Sequence, residues 1–346
     1  MKNYLFVLFF LSQIFAQYDQ VFVGSRPLSM GGAFSAVADD ANAIVWNPAG
    51  LPGLRRTEFT STFADLYDLG INHSYIGFVR PFSDQIAIGF DWSNIGFDDK
   101  ELGYSENKLN FSIGIQPHKI FSVGLNIKYL MRDMLLNETS YGKSNGIGRD
   151  LGVIIKPSKN VKMGLGVYDI GGTSVSYKDR TEETILGQAF RLGISYMPIN
   201  GLTLAADFSD RLHLGAEYIL GSRVSFRTGL QQGLNSNNEK DILIPSAGMS
   251  MKFKSIVMEY GFESHPYLNP THRFSIALQL SPAVVSITKT TISHNPIFRS
   301  LHRYYESEPF VKVGLKNISD EDLPVNVSLF VPTMMDNPHS ETVTLP

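Results

Sequence analysis

Few residues in this chain stand at spacings that could support covalent chemistry. Gly142-Lys143-Ser144-Asn145-Gly146 matches G-x-S-x-G, the spacing that lifts a serine hydroxyl onto a sharp strand-to-helix turn in serine hydrolases. That chemistry needs a strand before the motif and a helix after it. The flanking residues read instead as a loop between two strands, so a simple turn is expected. The eight histidines are scattered, and His265 and His272 flank one loop with no third ligand nearby, which suits exposed loop residues better than a metal centre. Gly164-Leu165-Gly166 and Gly146-Ile147-Gly148 miss the dinucleotide-binding spacing and fall in strands, where glycine marks a bend or a close approach. Asp98-Asp99-Lys100-Glu101 has the charge to hold a divalent cation bridging lipopolysaccharide, but a charge run in a loop is ordinarily just solvated. The absence of cysteine excludes thiol nucleophiles, thiolate metal sites and disulfides together. A net charge of -3 with dispersed basic residues leaves no nucleic-acid footprint. The chain therefore reads as no enzyme, with no cofactor and no metal.

The elements that would have to position any site are more informative. Lys2, the apolar run 4–15 and the small residue Ala16 give the three regions of a secretory signal, so 1–16 is expected to be removed. The run is about a dozen residues, short of the roughly 20 that a spanning helix needs. No later stretch is longer, and a mean hydropathy of -0.04 excludes a helical membrane protein.

From residue 55 onward the pattern has period two. Phe121, Val123, Leu125, Ile127, Tyr129 and Met131 alternate with Ser122, Gly124, Asn126, Lys128 and Arg132, and the same reading recurs around 109–116, 190–196 and 274–280. About fourteen such runs, from 56–65 to 271–280, each reach roughly the ten residues that a tilted transmembrane strand requires. Tight turns such as 81–84, 117–119, 157–160, 198–201, 221–222 and 252–255 alternate with longer loops at 98–105, 133–145, 171–187, 235–241 and 263–270. Short turns at one rim and long loops at the other mark an outer-membrane barrel, with the short turns and both chain ends periplasmic. A soluble β-sandwich shares the alternation, but a soluble chain of this size could not bury so many oily faces. Tyr129, Tyr196, Tyr218, Tyr260 and Phe262 are expected in an interfacial aromatic girdle facing outer-membrane lipid and lipopolysaccharide.

Ahead of the strands stands GSRPLSMGGAFSAVADDANAIVWNPAGL, residues 24–51. Met30-Gly31-Gly32-Ala33, Ala38-Asp39-Asp40 and Asn47-Pro48-Ala49-Gly50 resemble the N-terminal signature of the FadL-like outer-membrane barrels, above all the PorV/PorQ branch. The resemblance implies about fourteen strands over 55–281 and a plug, 17–54, folded inside them. It also implies a choice between two roles. FadL-type relatives pass hydrophobic small molecules when the plug moves, with Gly31, Gly32, Asn47 and Pro48 as plug elements; PorV-type relatives act as a scaffold or cargo shuttle in type IX secretion. A phospholipase is a distant third, since no Ser-His pair emerges. An oily tunnel beside the plug would favour the first role, and a sealed, charge-packed bore the second.

The residues fit a plug on physical grounds. A barrel this wide leaves a lumen that strand side chains cannot fill. Gly31 and Gly32 allow close backbone approach, Asp40 can cap a short helix over 41–45, and Pro48 forces Asn47 out of helical geometry. Trp46 adds apolar bulk with one polar N–H. Asp39 and Asp40 need partners inside, and the inward parity offers Lys128, Arg132, Arg191 and Arg227, with Glu217 and Glu259 as further lumen charges. A water-filled bore in which each charge is merely solvated is the alternative. Residues 282–346 change character: strands at 310–316 and 325–331, joined by a polar turn at 317–323, read as the opening hairpin of a periplasmic β-sandwich that would need further strands or a secretion-system partner to close.

Overall fold

The structure is a computed structural model and describes residues 23–98, 102–136, 139–177, 180–221, 223–234, 243–280, 285–293, 311–317, 323–329 and 339–345. The expected signal at 1–16 and most of the run 98–101 lie outside the described residues. The chain divides into two units, Met1–Ser281 and Pro282–Pro346.

The first unit is a closed barrel of 14 antiparallel strands. Seven strands form the first half: β1 (Thr57–Leu66), β2 (Ile71–Pro81), β3 (Ile86–Asp98), β4 (Leu102–His118), β5 (Phe121–Leu136), β6 (Thr139–Ser158) and β7 (Val161–Tyr168). A side hairpin follows, β8 (Thr173–Tyr177) and β9 (Arg180–Leu186), and pairs with β6 at Ser144 to Gly146. The second half is β10 (Ala189–Ile199), β11 (Leu202–Phe208), β12 (Arg211–Leu220), β13 (Val224–Gly233), β14 (Leu243–Phe253), β15 (Ile256–Glu263) and β16 (Thr271–Leu280). The wall closes where β1 pairs with β16, Thr57 opposite Leu280, and where β7 pairs with β10, Gly164 opposite Gly193. Closure leaves no unpaired edge, the condition for a sheet to survive in hydrocarbon.

Alternation decides which way each residue points. Phe59, Phe63, Ile76, Phe90, Phe274 and Ile276 are exposed on the outer wall, while their neighbours Thr60, Thr62, Tyr75, Asp91, Arg273 and Ser275 are buried. Oil outside and polarity inside is the reverse of a soluble sandwich, and the fourteen wall strands belong to one sheet closed on itself. At three short turns the register slips by a bulge, between Ile115 and His118, Ile155 and Ser158, and Tyr196 and Ile199. Each slip contains a proline (Pro117, Pro157, Pro198), which has no N–H to offer the ladder.

The long-loop rim departs from expectation. β4, β5 and β6 run for 17, 16 and 20 residues, well past the roughly 9–11 that cross a bilayer. Much of 98–105 and 133–145 is thus a raised strand wall, not loop. Residues 171–187 form the β8–β9 hairpin. Gly142 to Gly146 lies within β6, with Ser144 opposite Arg132, so the G-x-S-x-G match is a strand segment and neither a turn nor an elbow.

In the second unit β17 (Val285–Ile292) pairs with β18 (Val311–Asn317), and β19 (Leu323–Leu329) with β20 (His339–Leu345). The two strands read from the sequence exist, but they do not pair with each other. Their partners are the β-branched runs 285–292 and 339–345, whose alternation supplies a matching ladder on either side.

Candidate functional site

Residues 23–54 fill the bore. α1 (Ser25–Ser29) accepts Pro27 in its first turn, and Ser29 Oγ donates back to Ser25 O at 2.6 Å. Gly31 (φ 61°) and Gly32 (φ 77°) then reverse the chain. A side chain on Gly31 would meet Leu230 N at 2.7 Å and Leu214 O at 2.9 Å, so only glycine fits there. The helix α2 (Ala43–Trp46) begins two residues later than expected, and Asn42 occupies its N-cap. Asp40 does not cap it directly; its Oδ1 accepts from Asn42 N and Nδ2, both at 2.9 Å. Asn47 is extended (φ -166°) ahead of Pro48, and its side chain accepts from Ala49 N at 3.1 Å to open a 3-10 turn over Pro48–Gly53.

An irregular segment inside a barrel leaves backbone groups that must find partners. The wall supplies them. Asp207 Oδ2 accepts from Phe34 N (3.1 Å) and Ser35 N (2.9 Å), and Glu58 Oε1 accepts from Ala41 N (2.9 Å). Arg191 Nη1 donates to Gly32 O at 3.0 Å, with its guanidinium 5.0 Å from the Trp46 ring centroid. His213 Nδ1 lies 2.7 Å from Gly31 O, and the Tyr168 hydroxyl donates to Trp46 O. Strand glycines do the rest. Gly124 and Gly152 face Pro48, Ala49 and Asn47; Gly164 faces Ser35; Gly215 and Gly229 face Met30 and Gly31; Gly248 faces Ser29. At each, a Cβ would strike the plug, most often its backbone, so the plug rests directly on the wall. Val23, Met30, Phe34, Ile44, Trp46, Leu51 and Leu54 join Tyr75, Val79 and Ile154 of the wall in one buried apolar cluster.

The charges group differently from the sequence-based expectation. Asp39 and Asp40 do not dock on Lys128, Arg132, Arg191 or Arg227. Their partner is Arg26, within the plug itself, whose Nη1 lies 2.6 Å from Asp39 and 2.9 Å from Asp40. Nε and Nη2 of the same guanidinium grip Glu217 in a fork at 2.9 and 2.7 Å. Glu217 also takes Arg227 Nε at 2.6 Å, and Arg227 Nη2 reaches Glu259 at 3.2 Å. Burial pushes the Asp39 carboxyl up, but Arg26, with Lys162 3.8 Å away, outweighs it and holds the group down at about 2. The other candidates have separate partners: Lys128 bridges Asp150 and Asp169, both at 2.7 Å, and Arg132 meets Glu106 at 2.7 Å. These bore charges are thus paired with one another across plug and wall.

Below the plug, toward the short turns, lies a cavity of about 480 Å³ whose walls include Arg26, Asp39, Glu58, Glu217, Arg227 and Glu259. No described group of three His, Asp or Glu residues could hold a metal ion. His265 Nδ1 accepts from Tyr267 N and Leu268 N and His272 Nδ1 pairs with the Tyr260 hydroxyl, so each has a local structural contact.

Sequence reasoning missed Arg26, Glu58, Asp207 and His213. Arg26 stands inside the motif that announced the plug, and it was the paired aspartates that drew attention. The other three sit at inward parity on β1, β11 and β12, so the alternation itself would have found them.

No protein-family model and no curated protein matches the sequence. Solved structures do match by shape. The monoaromatic hydrocarbon channel CymD aligns with a TM-score of 0.58 at 15% identity, over 77% of this chain and 99% of that one. The fold is that of the FadL-type barrels. The toluene transporter TbuX of Ralstonia pickettii (TM-score 0.53, 14% identity, 75% of this chain and 98% of that one) and a FadL homologue of Pseudomonas aeruginosa (0.52, 10%, 77% and 100%) agree. In each case the shared part is nearly the whole of the solved chain and about three quarters of this one.

Proposed function

We propose that the chain is an outer-membrane barrel, not an enzyme, that passes hydrophobic small molecules, and that the arrangement described is its shut state. The observation that carries this reading is a closed barrel with its leading segment seated inside, whose fold is shared with a monoaromatic hydrocarbon channel and a toluene transporter. The apolar cluster around Phe34, Ile44, Trp46 and Leu51 gives an apolar molecule a place to enter as the plug shifts. The hold to be broken is the Arg26 cluster.

A second reading is favoured by the bore itself. Its wall is rich in glycine, serine and paired charge, and the cavity below the plug sets Arg26, Arg56, Arg227, Glu58, Glu217 and Glu259 beside Ile219, Val257 and Ala277, a poor match for a wholly oily path. A permanently sealed barrel would serve as a membrane-anchored scaffold or PorV-like cargo shuttle for type IX secretion, engaging a periplasmic partner through residues 282–346. One experiment separates the two. The purified chain and its Arg26→Ala variant are reconstituted in vesicles, and entry of a hydrophobic fluorescent dye is followed with a sugar as the polar control. Dye entry that rises severalfold in the variant supports passage; no entry in either leaves the scaffold.

A further inference from the structure

The short-turn rim carries a charge imbalance that neither reading of the bore uses. Arg80 ends the outward row of β2, Lys119 and Lys159 lie in the β4–β5 and β6–β7 turns, and Lys254 in the β14–β15 turn; all four are exposed. Arg223 occupies the β12–β13 turn and Arg55 the entry to β1; with Arg80 flanking the β2–β3 turn, β10–β11 alone among the described short turns has no cation in it or beside it in sequence. Asp84 is the one carboxylate in those turns. None of Arg80, Lys119, Lys159 and Lys254 makes an ion pair among the described residues, whereas interior cations such as Arg26, Lys128 and Arg227 all do. The far rim is mixed in sign: Asp65, Asp68, Asp98, Asp133 and Asp210 share it with Arg132, Lys143 and Arg211, and Lys143 and Arg211 pair with Asp133 and Asp210.

Each outer cation also stands beside an exposed apolar side chain: Arg80 by Phe82, Lys119 by Ile120, Lys159 beyond Ile155, Lys254 by Phe253. The Arg80 guanidinium lies 5.6 Å from the Phe82 ring centroid. A long cation with exposed apolar surface nearby is the arrangement that lets a side chain lie along hydrocarbon and present its charge at headgroup level. A single protein partner would meet one sector of the rim. The cations instead follow the circumference, and what surrounds a barrel on all sides is lipid.

We propose that this basic collar binds the anionic headgroups of the leaflet around the short-turn rim, phospholipids of the phosphatidylglycerol type. Each collar cation then sits near a surface phosphate, an attraction that in comparable polybasic segments corresponds to about fivefold in binding per charge and fades within a Debye length. The inference is independent of whether the bore opens.

The test uses the full chain in nanodiscs with equal phosphatidylglycerol and phosphatidylcholine, followed by native mass spectrometry of the lipids it retains. The wild type is expected to keep phosphatidylglycerol at least fivefold over phosphatidylcholine at low salt, with the preference shrinking as salt rises. The variant Arg80→Gln/Lys119→Gln/Lys159→Gln/Lys254→Gln is expected to lose it. Replacing the three lysines by arginine, which keeps the charge, is expected to retain it. All substituted positions are exposed, and heat-modifiable migration on gels checks that each barrel is folded. Equal retention of both lipids by the wild type, or an unchanged preference in the glutamine variant, overturns the proposal. So does binding of a polyglutamate peptide that depends on these cations where phosphatidylglycerol retention does not, which would assign the collar to an acidic protein.

Discussion

Arg26 joins two plug aspartates to a wall glutamate and, through that glutamate, to Arg227. Its side chain and that of Glu217 are 12% and 2% exposed, so removing the guanidinium leaves Glu217 with Arg227 alone and takes from both aspartates their nearest cation. Losing one partner of such a pair costs about 3 kcal/mol or more. Arg26→Ala is therefore expected to lower the unfolding free energy of the purified barrel by that amount in a denaturant titration, and Arg26→Lys to recover only part, because an ammonium cannot span Glu217 and the aspartates with one planar fork. Asp39 gives a pH signature. Its folded-state value, about 2, lies below the ordinary 3.8, so its contribution is present above about pH 4 and is lost as pH falls toward 2. Asp39→Asn should flatten that part of the stability profile by lowering the plateau above about pH 4 toward its acid value, and only modestly, since the group is 42% exposed and solvent screens the pair. The sequence disclosed the acidic pair but not its partner. Parity arguments look across to the wall, whereas Arg26 reaches the aspartates within one irregular segment that has no period to read.

Strands were legible because one rule, apolar outward and small or polar inward, holds along nearly all of them. Their lengths were not. The upper parts of β4, β5 and β6 leave the membrane, the outward face no longer needs oil, and the alternation fades while the hydrogen-bond ladder continues. The glycines raise the opposite difficulty: each was visible as a departure from strand propensity, but only the plug explains it. Gly229 is the sharpest case, since a Cβ there would overlap Gly31 N and Met30 C, backbone on backbone with nothing able to rotate aside. Gly229→Ala is expected to cost about 1–3 kcal/mol and to render the plug sensitive to limited proteolysis while the barrel still migrates as folded. Gly53→Ala, where a Cβ meets nothing within 4 Å, should change neither. If both variants resist protease equally, the plug is not seated on the glycines.

For the molecule as a whole, the decisive property is that the outer wall faces hydrocarbon, and β16 gives a ruler for it. Phe274, Ile276, Leu278 and Leu280 all point outward and are exposed, with Leu280 at the short-turn rim and Ile276 nearer the middle of the strand. A cation at the bilayer midplane costs about 2–4 kcal/mol, and one near the interface about 0–1. Ile276→Arg should therefore destabilise the barrel in phospholipid vesicles by roughly the larger amount, and Leu280→Arg by little, because there the side chain reaches headgroups and joins the basic collar. The inward neighbour offers the complementary measurement. Ser275 Oγ pairs with Ser25 Oγ and with Thr62 Oγ1, each at 2.7 Å, so Ser275→Ala acts through the plug and its cost should be the same in detergent and in vesicles. A cost at Ile276 that is as small as at Leu280 would mean that this face does not sit in lipid. A gradient between them, set beside a solvent-independent cost at Ser275, ties the two faces of one strand to two different surroundings, which only a membrane-spanning wall with a filled bore provides.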